Sequence, residues 1–176
     1  MSFYLRPRFL LRLLALSGCL LAGAAQADAY GDVSTLTRSG KTAEAIAKAD
    51  QYLQTNSRDP QMRFLKGVAQ SKAGDLTAAT QTFQALVEEY PELSEPYNNL
   101  AVIYANDGQL DKARGALEMA VRNNPNYAVA HENLGDIYAR LAHGAYNRSL
   151  QLNGNNRALK LKLSTLTEML QPSAPR

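Results

Sequence analysis

Residues 94–127 read SEPYNNLAVIYANDGQLDKARGALEMAVRNNPNY. Tyr97, Leu100, Ala101 and Tyr104 fall at i, i+3, i+4 and i+7, the spacing of one helix face. Gly108 interrupts the pattern. Ala113, Leu117 and Ala120 then mark a second stripe, and Asn123-Asn124-Pro125 stops it. The segment therefore predicts two helices joined by a tight turn. Such a hairpin cannot bury its apolar face alone, so its neighbours in the chain must repeat it.

They do. Gly40, Gly74 and Gly108 recur at a constant interval, equal to the length of the quoted segment, and Ala45, Ala79 and Ala113 follow at the same interval. Glycine at the turn permits the left-handed backbone that ends a helix. Alanine five positions later lets two helices approach closely. This order of aromatic, leucine, small residue, aromatic, alanine, bulky apolar residue and proline resembles the tetratricopeptide repeat. The resemblance covers about residues 40–154 and is most specific over 94–138. It implies an all-α fold: a short right-handed superhelix of three to four helix–turn–helix units with a C-terminal capping helix.

The units are expected at about 28–59, 60–93, 94–127 and 128–154. The first has a clear second helix from Thr42 to about Gln54, but a weak first helix carrying only Val33 and Leu36. In the second, Asp59-Pro60 supplies an N-cap and a proline in the first helical position. Lys66 and Gln70 stand where the repeat places a leucine and an aromatic residue. In the fourth, His131, Leu134, Gly135 and Tyr138 restore the spacing, with His131 in an aromatic slot. The register then runs five positions short around His143-Gly144. Either the two helices merge into one long helix bent near Gly144, or a turn survives between shortened helices; we expect the merger. Leu159, Leu163, Leu166 and Leu170 make an amphipathic cap over 155–170, and residues 171–176 read as a disordered tail.

The formal charge of +3 comes from residues 1–27, which hold Arg6, Arg8 and Arg12 and no acid. The rest has 16 bases and 16 acids, so a nucleic-acid partner has no electrostatic support. Residues 1–27 have the plan of a secretory signal peptide: arginines, a short apolar run, and Ala25-Gln26-Ala27 as the cleavage signal. The run from Leu13 to Ala24 is well short of the roughly 20 residues of a transmembrane span. Leu16-Ser17-Gly18-Cys19 is similar to a bacterial lipobox, so lipidation at Cys19 is the alternative to cleavage after Ala27.

Nothing in the sequence assembles into a catalyst. His131 and His143 are the only histidines; the first substitutes for a packing aromatic and the second is expected to be exposed. No spacing of His, Cys and carboxylates makes a metal site, and no glycine pair forms a phosphate loop. Glu88 and Glu89 are adjacent on a helix, hence about 100° apart and not a dyad. No cofactor is expected, and no enzymatic activity.

In the repeat family, the first helix of each unit lines a concave groove that holds a peptide. The resemblance places Phe64, Val68 and Lys72 there in the second unit, Asn98, Val102 and Asn106 in the third, and Glu132, Asp136 and Arg140 in the fourth. Glu132 and Asp136 lie one turn apart where chaperone-binding members carry basic residues. That disfavours a partner's terminal carboxylate and favours apolar, basic or amide groups. Residues 28–136 carry a net −5 and residues 137–176 a net +5. The expected role is a protein-binding scaffold or adaptor in the periplasm of a Gram-negative bacterium. Its alternatives are an outer-membrane lipoprotein assisting secretion or pilus machinery, and a homo-oligomer built through the last helix.

Overall fold

The computed structural model describes residues 29–170, and among these every regular element is an α-helix. Helix α1 occupies 29–38. It is followed by α2 (Thr42–Leu53), α3 (Pro60–Lys72), α4 (Leu76–Glu89), α5 (Ser94–Asn106), α6 (Leu110–Asn123), α7 (Ala128–Leu152) and α8 (Arg157–Met169). The chain divides into two compact units at Thr82 and Phe83, inside α4. The expected signal peptide with Cys19, and the expected C-terminal tail, lie outside the described residues.

Three turns are built alike. Gly40, Gly74 and Gly108 have φ of 81°, 85° and 75°. The next residue's N–H then reaches back to a carbonyl of the last helical turn: Lys41 to Leu36 (2.9 Å), Asp75 to Gln70 (3.1 Å) and Gln109 to Tyr104 (2.8 Å). This closure satisfies carbonyls that the helix end leaves open, and it requires the left-handed residue. Ala45, Ala79 and Ala113, each five positions on, are fully buried. Their single methyl groups set the close packing of paired helices.

In the first unit, Val33, Ala45, Ala49, Met62 and Ala69 form a core against which Leu36, Ile46, Tyr52 and Leu65 pack. Despite its weak pattern, α1 is anchored by Val33, and the buried Thr37 hydroxyl donates to the Val33 carbonyl at 2.8 Å. The two departures in α3 are resolved by polar pairing. Lys66 pairs with Asp50 of α2 at 2.6 Å, and the buried Gln70 side chain accepts from the Thr82 hydroxyl at 2.8 Å.

In the second unit, Ala101, Ala113, Leu117, Ala120, Ala130 and Ile137 form the core, with Tyr97, Tyr104, Leu134 and Leu141 against it. One contact recurs at the repeat interval. The Gln84 amide donates to the Tyr104 hydroxyl at 3.1 Å, and the Tyr138 hydroxyl donates to Glu118 at 3.2 Å.

The fourth repeat has no inter-helix turn. At the register of Gly40, Gly74 and Gly108 stands Ala142, and at that of Ala113 stands Asn147. Without a glycine at that position the helix continues, and α7 runs for 25 residues with Gly144 in its interior. Helix α8 begins at its N-cap Asn156, which accepts from the Leu159 N–H at 3.0 Å, and packs on α7. Its leucines 159, 163, 166 and 170 are half-buried, whereas Leu161 is 69% exposed. The imidazole of His143 bonds Thr167 of α8 at 3.1 Å and Asn147 at 3.2 Å. His143 is thus half-buried, not exposed as expected, because α8 returns over it.

Candidate partner-binding site

Helices α5 and α7 present one recess within the second unit, a pocket of about 170 Å³. Ala101, Ala105, Leu117 and Ile137 give it an apolar lining. Val102 and Asn106 line it from α5; Asn133, Asp136 and Arg140 line it from α7. Val102 and Asn106 are one turn apart on α5. Asn133, Asp136, Ile137 and Arg140 fall at i, i+3, i+4 and i+7, one face of α7. The small residues Ala101 and Ala105 are what leave the room.

Two of the polar residues are already engaged. Arg140 donates from Nη2 to the Ala105 carbonyl at 3.0 Å. Asn98, 7% exposed, accepts at Oδ1 from the Asn133 amide at 2.8 Å. The side chains of Asp136 and Asn106 are exposed and hydrogen-bond to no described residue. In the compact unit that ends at Thr82, Lys72, the repeat counterpart of Asn106 and Arg140, donates to the Arg38 carbonyl at 3.0 Å. Two cations at one register position thus hold carbonyls at the end of the preceding first helix, where positive charge is favoured.

Of the residues that the repeat register assigns to a groove, Val102, Asn106, Asp136 and Arg140 come together at this pocket. Asn98 is 7% exposed and its Oδ1 is taken by the Asn133 amide, so it does not itself line the pocket. Glu132 is exposed on α7 but does not line the pocket. Phe64 and Val68 are half-buried and Lys72 exposed on α3, in the other unit. Asn133 carries no groove signal of its own in the sequence, although it occupies the register position of Asn99. His131 is exposed, and its ring bonds the Pro125 carbonyl at 2.9 Å across the turn before α7.

A second polar cluster escapes sequence periodicity because its members are far apart along the chain. The Tyr30 and Tyr52 hydroxyls both donate to Asp59 Oδ2, at 2.5 and 2.8 Å, while Asp59 Oδ1 caps α3 by accepting from the Met62 N–H at 3.1 Å. The two rings are tilted with centroids 5.8 Å apart. The bond to Asp59, then that to Tyr52, pushes the Tyr30 hydroxyl well above the usual phenol range. For Asp59, burial raises the pKa, but the hydrogen bonds from Tyr30, Tyr52 and the α3 backbone together hold it below the usual carboxylate value. The cluster ties α1 and α2 to the start of α3. Among the described residues no cluster of His, Cys, Asp or Glu could hold a metal ion, and no helix is long and apolar enough to cross a membrane.

Models of the tetratricopeptide repeat match residues 33–94 and 70–141. The chain is 30% identical over 103 residues to a chloroplastic tetratricopeptide repeat domain-containing protein, PYG7, of Arabidopsis thaliana, covering 53% of this chain and 34% of that protein. It is 26% identical over 118 residues to the photosystem I assembly protein Ycf3 of Prochlorococcus marinus, covering 65% of each. The chain thus spans less than two thirds of the length of these relatives. Two solved structures share the fold. A thermophilic tetratricopeptide protein of Thermus thermophilus, TTC0263, superposes with a TM-score of 0.56 at 22% identity, over 80% of this chain and 82% of that one. MamA of Desulfovibrio magneticus gives a TM-score of 0.56 at 20% identity, over 80% and 73%. With glycine turns at the repeat interval and family matches that together run from residue 33 to 141, the chain is a tetratricopeptide-repeat protein.

Proposed function

We propose that this protein is a non-enzymatic assembly adaptor that holds a segment of a partner protein against α5 and α7. Tetratricopeptide proteins mediate protein–protein interactions, and the relative from Prochlorococcus is named as an assembly protein. The pocket carries the reading: Val102, Asn106, Asp136 and Arg140 converge there beside an apolar lining. The signal-like composition of residues 1–27 supports an exported protein acting in a bacterial envelope.

A photocrosslinking residue at position 102 of the full chain, expressed in cells, tests the site. Adducts with one or a few proteins are expected at 102, and not with the crosslinker at the exposed Gly115 of α6. Equal labelling from both positions, or none from 102, would sink the assignment. Mass spectrometry of the mature N-terminus tests the export: it should begin at Asp28, and an intact leader would refute it.

A further inference from the structure

The size and charge of the pocket narrow what enters it, an inference that rests on the adaptor reading. We propose that the pocket takes one aliphatic side chain of a partner segment, with a lysine or arginine beside it held by Asp136.

Size comes first. A volume of about 170 Å³ is below the roughly 300–1,000 Å³ of small-molecule sites. It is close to the roughly 150 Å³ of an apolar cavity that accommodates benzene. An apolar group of about six carbons or fewer fills such a recess, with the chain that carries it lying outside the open mouth. The lining of Ala101, Ala105, Leu117 and Ile137 offers such a group no hydrogen-bonding side chain.

Charge decides the neighbour. The Arg140 guanidinium is anchored on the Ala105 carbonyl. The Asp136 carboxylate is exposed and makes no hydrogen bond or ion pair with any described residue. Glu132, one turn earlier on α7, is likewise exposed and unengaged among the described residues. The facing helix contributes Val102 and Asn106, which carry no charge. Arg140 keeps its charge but is fixed on α5, so Glu132, Asp136 and Arg140 leave this stretch of α7 a net −1, and an acidic segment would meet two carboxylates with no partner among the described residues. A basic one finds a counter-ion beside the apolar recess, and the long stems of Lys and Arg let the charge reach it while the aliphatic neighbour is buried.

The test uses fluorescence anisotropy with the full chain and three labelled peptides of one neutral, serine-rich frame. They carry Leu-Lys, Leu-Glu or Ser-Lys at the centre. Leu-Lys should bind about tenfold more tightly than Leu-Glu, and Asp136→Lys should reverse that order. Asp136→Asn should abolish the preference without reversing it, and circular dichroism should show both variants as helical as the wild type. Equal binding of Leu-Lys and Leu-Glu, equal binding of Leu-Lys and Ser-Lys, or no binding of any peptide would overturn the proposal. If the peptides fail while the crosslink from position 102 persists, the adaptor reading stands and only this chemistry falls. Loss of both removes both.

Discussion

Asp59 serves two structures with its two oxygens, and they can be separated by substitution. Oδ1 caps α3 and Oδ2 receives both tyrosine hydroxyls. Asp59→Ala removes the cap and the cluster together, and should cost about 1–2 kcal/mol in urea unfolding at neutral pH. Asp59→Asn keeps a capping oxygen but loses the charge. Because the folded carboxyl is held below its ordinary value, the stability it contributes is complete above about pH 4. It fades as pH falls through the lower, folded value. The wild type should therefore lose stability on acidification, and Asp59→Asn should lose less; parallel pH profiles for the two proteins would contradict this. Tyr30 works in the opposite sense. Its raised pKa favours folding below about pH 10 and ceases to do so as pH climbs towards the folded value, so Tyr30→Phe should flatten the alkaline limb.

At the scale of elements, one substitution should have opposite signs at two glycines. Gly108 sits at φ 75° and a Cβ there would meet nothing within 4 Å, so Gly108→Ala carries only backbone strain, about 1–2 kcal/mol destabilising. Gly144 lies inside α7 with equally open space, so Gly144→Ala should stabilise by about 0.5–1 kcal/mol. Thermal unfolding of the two variants checks both signs. The same two sites show what the sequence made legible. The constant interval of glycine and alanine dictates backbone conformation directly, so the turns and the paired helices were readable from it. The polar replacements in α3 were visible as departures, but their partners were not. Lys66–Asp50 and Gln70–Thr82 depend on which helix faces come together, which periodicity alone does not specify. The pocket was half legible for the same reason. Register gave Val102, Asn106, Asp136 and Arg140, whereas the pairing of Asn98 with Asn133 follows from packing of α5 on α7.

For the molecule as a whole, stability and recognition share the floor of the pocket, at Ala101 and Leu117, and separate at its rim. The second unit rests on Ala101, Ala113, Leu117 and Ala120, none more than 1% exposed, whereas Val102 is 43% exposed. Val102→Arg should leave the midpoint of unfolding within the change of about 0.5 kcal/mol typical of surface sites, while partner recovery from cells falls sharply. A large loss of stability would show instead that Val102 is part of the core.

The absence of a turn in α7 also bears on how such a chain can lengthen. A duplicate of residues 94–127 inserted after Tyr127 would find α6 before it and an intact first helix after it, both in register. The same duplicate appended after Leu152 would follow a helix with no partner hairpin of its own, on a surface that α8 already covers. Ala142, standing where the other repeats have their turn glycine, leaves a repeat added after Leu152 without a preceding hairpin to pack on, whereas one inserted after Tyr127 has it.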